Sequence, residues 1–580
     1  MAPLKLPKKG KSKQLHLDFR SLDAARASAP QDWDSEAWLE EGTKQEEQGE
    51  RYQVGAKAAR HLSNAAVCYR LAAALAPADF DSRYNGARVQ QTLATEHLPA
   101  PVCLSALDDA RTAYRDALSV LQPGAKGEAT ARIDALFNLA QTDVALFEML
   151  DDAIVALEQE ADRALQVAKE ARELFVEVER LQRAEMARFF GETGPEADAG
   201  EDEAADEVDP TGGSAAGETS VRALEVTIVT PQLLIDTLLE SVSFDLTLYN
   251  SSYTDAATEA ELRQSALDSF TRATALRPLV PGAAPELDFE LAFVQATLYT
   301  TLSPDEAPLH LEQLISSTSP VKVDLLSLYA DHQVETLLLT AQLPAILSSL
   351  STALKTYESA QALLSNRLSP PKHLPASHLP SLLSSNLVAQ STVHLLAYEV
   401  LTRAQRDPSL APTLPADAAA QTAEHLSRAH ALALEATSAP RSGLSLVLSA
   451  SAAAVNAASA PPPLALARAP ASQEPRTDWR TVASVRLALF SLARVRMRML
   501  PPASAAGGKR EEQVRFWAFW RALGLARGEG TEKGSEGERA LKRREVRWWI
   551  GEIAEDKVQE VMGAEEAAME RAYWEELAEL

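Results

Sequence analysis

The chain has 580 residues, a formal net charge of −26 and a pI near 4.9, with 46% apolar but only 6% aromatic residues. That length suffices for a large core or several domains, and the acidic balance opposes non-specific binding to nucleic acid, which needs the opposite sign. Ala, Leu and Ser carry most of the apolar and small positions, β-branched residues are sparse, and no stretch alternates apolar and polar over several strands, so an all-α fold is expected. The acidity reads either as plain solubility or as a field that steers a basic partner. Two cysteines, Cys68 and Cys103, make neither a disulfide framework nor a structural zinc site, which points to a reducing compartment. Met1 to Lys13 lacks the apolar core of a secretory signal, and no apolar run reaches the ~18 residues of a spanning helix. A soluble protein of the cytoplasm, the nucleus or both is expected, with no membrane contact.

In chain order, residues 1–34 read as a basic, disordered tail, with Lys5, Lys8, Lys9, Lys11 and Lys13 forming either a solvated run or a nuclear-localisation signal. Residues 35–190 form a first helical block. It opens at Ser35 with Trp38, Leu39 and first-turn acids, as a capped helix does, and Gly49 and Tyr52 follow three apart. Ala65, Tyr69, Ala72 and Pro77 then stand at relative positions 0, 4, 7 and 12. That spacing puts two small side chains and one ring on a single helical face, with proline stopping the helix. Ala110, Tyr114 and Ala117 repeat the first three terms. A helix from about Asp151 to Phe190 closes the block.

Residues 191–220 hold ten acidic side chains and no basic one, which predicts a disordered linker, either a spacer or a decoy for a basic surface. Residues 221–458 form a second block. Ala266, Phe270, Ala273 and Pro278 repeat all four terms, and Ala353, Tyr357 and Ala360 repeat three. Helices are predicted at 231–240, 286–302 and 323–343. Thr422, Leu426 and Ala429 occupy a weaker version of the same face. Residues 459–476 are a Pro/Ala-rich linker around Pro461 to Pro463. The last segment, 477–580, is helical and rich in tryptophan. Trp517, Trp520, Trp548, Trp549 and Trp574 read either as the core of a terminal cap or as a partner-binding aromatic patch.

The 0, 4, 7, 12 pattern, with Gly49/Tyr52 and the openings Tyr84-Asn-Gly-Ala87 and Phe137-Asn-Leu-Ala140, resembles the tetratricopeptide (TPR) repeat, and the first repeats resemble those of uncharacterised fungal TPR proteins. The resemblance covers most of residues 35–435. It implies a solenoid of antiparallel helix pairs with a C-terminal helical extension, whose first helices line a concave, protein-binding groove. The TPR cochaperones of Hsp70 and Hsp90 hold client carboxylates with Lys, Asn and Arg on those helices. Here the matching positions carry Glu50, Asn85, Asp134 and Asn138: one asparagine is kept, and acids stand where the clamp needs bases. The resemblance therefore implies a groove for a basic segment and rejection of acidic C-terminal tails.

No P-loop, HExxH motif or Gly-rich dinucleotide fingerprint occurs. His373 and His378 share a Pro-rich loop with no acidic or Cys partner nearby, so neither a metal nor a cofactor is expected. Two functions fit. One is a non-enzymatic scaffold or dedicated chaperone that holds a basic protein segment. The other is a structural subunit of an RNA-processing, ribosome-assembly or trafficking complex that makes contact through its C-terminal aromatic helices.

Overall fold

A computed structural model describes residues 17–191, 229–439 and 479–579, apart from connecting segments within each span. Most of the basic tail, residues 192–220 of the acidic linker, the 459–476 linker and the loop with His373 and His378 lie outside the described residues. Among the described residues there are twenty α-helices and no strand. The first block comprises α1 (Leu22–Ser28), α2 (Ser35–Tyr52), α3 (Ala56–Leu75), α4 (Phe80–Thr92), α5 (Val102–Val120), α6 (Glu128–Asp151) and α7 (Glu158–Gly191). The second comprises α8 (Pro231–Tyr249), α9 (Ala256–Leu276), α10 (Pro285–Leu302), α11 (Ala307–Ser317), α12 (Val323–Glu335), α13 (Leu343–Leu364), α14 (Leu379–Arg406) and α15 (Ala418–Ala436). The C-terminal module is α16 (Trp479–Met499), α17 (Ala505–Ala522), α18 (Glu536–Ala554), α19 (Lys557–Met562) and α20 (Ala564–Ala578).

Short polar caps start the helices. Asp34 Oδ1 accepts from the Ala37 amide at 3.0 Å, so Asp34 rather than Ser35 caps α2. Asp79 caps α4 from the Ser82 amide at 3.0 Å, and Thr230 caps α8 at 3.2 Å with Pro231 in the first turn. Three boundaries differ from the sequence reading. α1 lies inside the supposed tail because Leu17, Phe19, Ala25 and Trp33 bury apolar surface against α2 and α3. Asp151 ends α6 instead of opening α7. The helix at Val323 stops at Glu335, where the Thr336 amide closes on the His332 carbonyl.

From α2 to α17 each helix packs against the next in sequence. The small–aromatic–small face is the glue of this stack. Ala65, Ala72, Ala110, Ala117, Ala266, Ala273, Ala353 and Ala360 are all fully buried, as are Tyr69, Tyr114 and Tyr357, whereas Phe270 is only partly covered. Each of these tyrosines donates its hydroxyl to the preceding first helix: Tyr69 to Glu46 at 2.7 Å, Tyr114 to Gln91 at 2.8 Å, and Tyr357 to Asp331. The register of the first pair differs from the expected one. A Cβ on Gly42 would stand 2.6 Å from the Tyr69 ring, so Gly42 is the glycine this ring requires, while Gly49 faces Leu62 and Tyr52 is exposed.

First helices also touch one another across successive pairs. α4 touches α6, α8 touches α10, and α10 touches α12. Consecutive second helices are instead bridged by long side chains: Arg111 of α5 reaches Glu170 of α7 at 2.7 Å, and Arg172 of α7 reaches Glu261 of α9 at 2.9 Å. The first helices α2, α4, α6, α8, α10 and α12 make up one row of the stack, in which Arg88 of α4 also reaches Glu46 of α2 at 2.7 Å.

Phe490 centres the C-terminal module, with the rings of Phe516, Trp548, Trp549 and Trp574 at 5.0–5.8 Å. α16 and α19 dock on α14, and α16 also on α15. A buried charge network joins the two parts: Glu570 accepts from Arg494 at 2.9 Å and Arg498 at 2.8 Å, and Arg498 also binds Glu399 of α14 at 2.9 Å.

Candidate protein-binding face

Helical spacing places successive carboxylates of the first-helix row on one side of each helix. α2 carries Glu46 and Glu50, α6 Asp134, α8 Asp236 and Glu240, α10 Glu286 and Glu290, and α12 Asp331 and Glu335. Four of these helices repeat an i, i+4 acidic pair, a spacing that puts both carboxylates on one face and costs the isolated helix a few tenths of a kcal/mol per pair. Asp236, Glu240 and Glu290 make no ion pair among the described residues.

Burial and like charge raise several carboxylates of this row. Desolvation pushes Asp236 up to about 6, and the nearby Glu290 carboxylate adds to the effect. Glu240 is exposed, yet surrounding protein raises its pKa, helped by Glu290, Glu148 and Asp236. Glu335 is likewise exposed and raised, first by desolvation and then by Asp331. Two acids have a further structural duty, since Glu46 and Asp331 accept the tyrosine hydroxyls of the following helix, and Glu46 also meets Arg88 at 2.7 Å.

The four residues marked by sequence fall on three of these helices. Glu50 is exposed on α2, and Asn85 is half-buried on α4. Asp134 and Asn138 are half-buried on α6, where desolvation raises Asp134. The structure brings Asn138 to α4, with its amide donating to Tyr84 Oη at 2.9 Å, and burial, helped by the field of Asp134, pushes the Tyr84 hydroxyl up to about 12. It does not gather the four into one clamp. With Gly42 as the packing glycine, Glu46 rather than Glu50 makes the interhelical contact. The acids of α8, α10 and α12 were missed by sequence reasoning, although their i, i+4 spacing was a visible signal.

The aromatic-patch reading is corrected. Trp517, Trp520, Trp548, Trp549 and Trp574 are all buried, at 0–4% exposure. Trp517 Nε1 donates to the Leu577 carbonyl at 2.8 Å, and the Arg486 guanidinium lies 3.6 Å from the Trp548 ring centre. These rings form the core of the module, because five helices without a repeat partner need large side chains to fill their centre. Residues 477–580 also carry as many basic as acidic side chains, so the charge of −26 belongs to the repeats and the segments around them.

Burial pushes the Cys68 thiol up to about 12. Among the described residues no group of three metal-ligating side chains occurs, and no helix is long and apolar enough to cross a membrane. Neither protein-family models nor curated proteins give a match to this chain.

Proposed function

We propose that this chain is a non-enzymatic, tetratricopeptide-like scaffold or dedicated chaperone that holds a basic protein segment along an acidic inner face, in the cytoplasm, the nucleus or both. One observation carries the reading: on first helices that touch, half-buried Asp236 and exposed Glu240 and Glu290 lie within one another's field and make no ion pair among the described residues. Like charges held close cost stability, and a bound cationic chain relieves that cost. Each exposed pair is worth only ~0–1 kcal/mol, so affinity is spread over several pairs together with apolar anchors. The same field repels acidic C-terminal tails, which argues against an Hsp70/Hsp90-type cochaperone role. Burial of the tryptophans removes the main support for contact through the C-terminal aromatic helices.

Affinity capture with the full chain, read by mass spectrometry, tests this. The capture is repeated at two salt concentrations and with Asp236→Lys/Glu240→Lys. The reading expects a client set whose bound regions are basic and which is lost both at high salt and on charge reversal. Clients that survive reversal but vanish on deleting residues 477–580 would contradict it.

A further inference from the structure

One partly open face of α10 is aromatic as well as acidic. Glu286, Phe289, Glu290 and Phe293 fall within about 100° of helical arc, away from the buried stripe of Leu287, Leu291, Val294 and Leu298, with the rings resting beside buried Ala296. Phe289 and Phe293 stack at 5.9 Å with 20° between their planes, and both are only partly buried. The core beneath them is thin, with four fully buried residues: Ala296, Ala307, Leu311 and Leu325. A cation already sits on this face, since Lys322 Nζ lies 3.6 Å from the centre of the Phe289 ring. Glu290 is exposed beside the rings, and α8 brings Asp236 and Glu240 into its field.

We infer that the Phe289–Phe293 face of α10, flanked by Glu290, Asp236 and Glu240, is the anchor subsite for an arginine side chain of an extended basic partner segment. The inference rests on the function proposed above and says where on the inner face the partner is gripped. A planar guanidinium stacks on a phenyl face while its N–H groups reach a carboxylate, which a lysine ammonium does less well. Diffuse attraction along the row draws the segment in, and the ring pair adds short-range selectivity that the acids alone lack. Lys322 acts as an internal competitor, satisfying the Phe289 ring until a stronger cation arrives.

The test uses the full chain and fluorescein-labelled Gly/Ser-spaced peptides bearing four arginines, four lysines or four citrullines, read by anisotropy at low and physiological salt. The arginine peptide is expected to bind most tightly and the citrulline peptide not at all. Phe293→Leu should weaken arginine-peptide binding about threefold to tenfold, and Lys322→Ala should tighten it about twofold to fivefold, the range of one cation–π contact. The gain with Lys322→Ala is a result that misfolding does not produce. Asp236→Asn/Glu290→Gln should weaken binding and flatten its salt dependence. If Phe293→Leu and Lys322→Ala leave binding unchanged while Glu50→Lys/Asp134→Lys abolishes it, the subsite is wrong and the acidic-face reading stands. If the arginine peptide does not bind the wild-type chain even at low salt, both fall.

Discussion

Gly42→Ala tests the packing logic of the first helix pair. An alanine Cβ at this position would lie 2.6 Å from Tyr69 Cε1 and 2.8 Å from Cδ1, closer than non-bonded carbons tolerate. The ring cannot swing aside freely, because Tyr69 is 1% exposed and its hydroxyl is tied to Glu46 at 2.7 Å. Overpacking of this kind costs ~1–3 kcal/mol, against ~1 kcal/mol gained when alanine replaces glycine inside a helix. The net expectation is a loss of up to ~2 kcal/mol. Tyr69→Ala alone should cost ~3–5 kcal/mol, and in that background Gly42→Ala should become stabilising by up to ~1 kcal/mol, because the steric term has gone. Native-state hydrogen exchange of α2 and α3 amides reads the local opening free energy without assuming that a long repeat array unfolds in one step. If Gly42→Ala stabilises the wild-type chain as it would an exposed helix, the register built on Gly42 and Tyr69 is wrong.

Four further predictions concern buried groups. Cys68 and Cys103 are fully buried, so both should resist alkylation at pH 8 in the native chain and react once it is denatured, as read by intact mass. Burial pushes His394 and His430 down to about 4, with His425 and Arg496 adding to the effect. The unfolded chain then binds more protons between 4 and the ordinary 6.5, so the α14–α16 junction should lose exchange protection as pH falls through that window. Asp143 and Asp236 are both pushed up to about 6 by burial, so there the folded state binds more protons, and α6 and α8 should instead gain protection as pH falls from 6.5 towards 4. Glu570→Gln should cost ~3–5 kcal/mol by leaving Arg494 and Arg498 short of their buried counter-charge. Iodide quenching of tryptophan fluorescence should rise as the module loosens.

The second helices were legible in the sequence because their requirement is local. A close crossing demands alanine, and the gap beside it demands a ring, so Ala65/Tyr69/Ala72 announces its own packing. First helices carry a weaker signal. Gly49 and Tyr52 match the expected spacing, yet Gly42 does the work, because α2 runs two turns beyond the point where it meets Tyr69. The acids of α8 and α10 were visible as residues but not as a site, since only the tertiary stack sets Asp236 beside Glu290. The tryptophans illustrate the converse. Their density was plain, but whether such rings face inward or outward depends on neighbours tens of residues away, such as Phe490.

The most direct test of an acidic inner face is carboxyl footprinting of the full chain, free and bound to a captured partner. Carbodiimide-driven labelling of Asp236, Glu240, Glu290, Asp331 and Glu335 should drop on binding, while carboxylates of second helices such as Glu173 and Asp268 label as before. Unchanged labelling along α8, α10 and α12, with protection confined to α16–α20, would contradict the account.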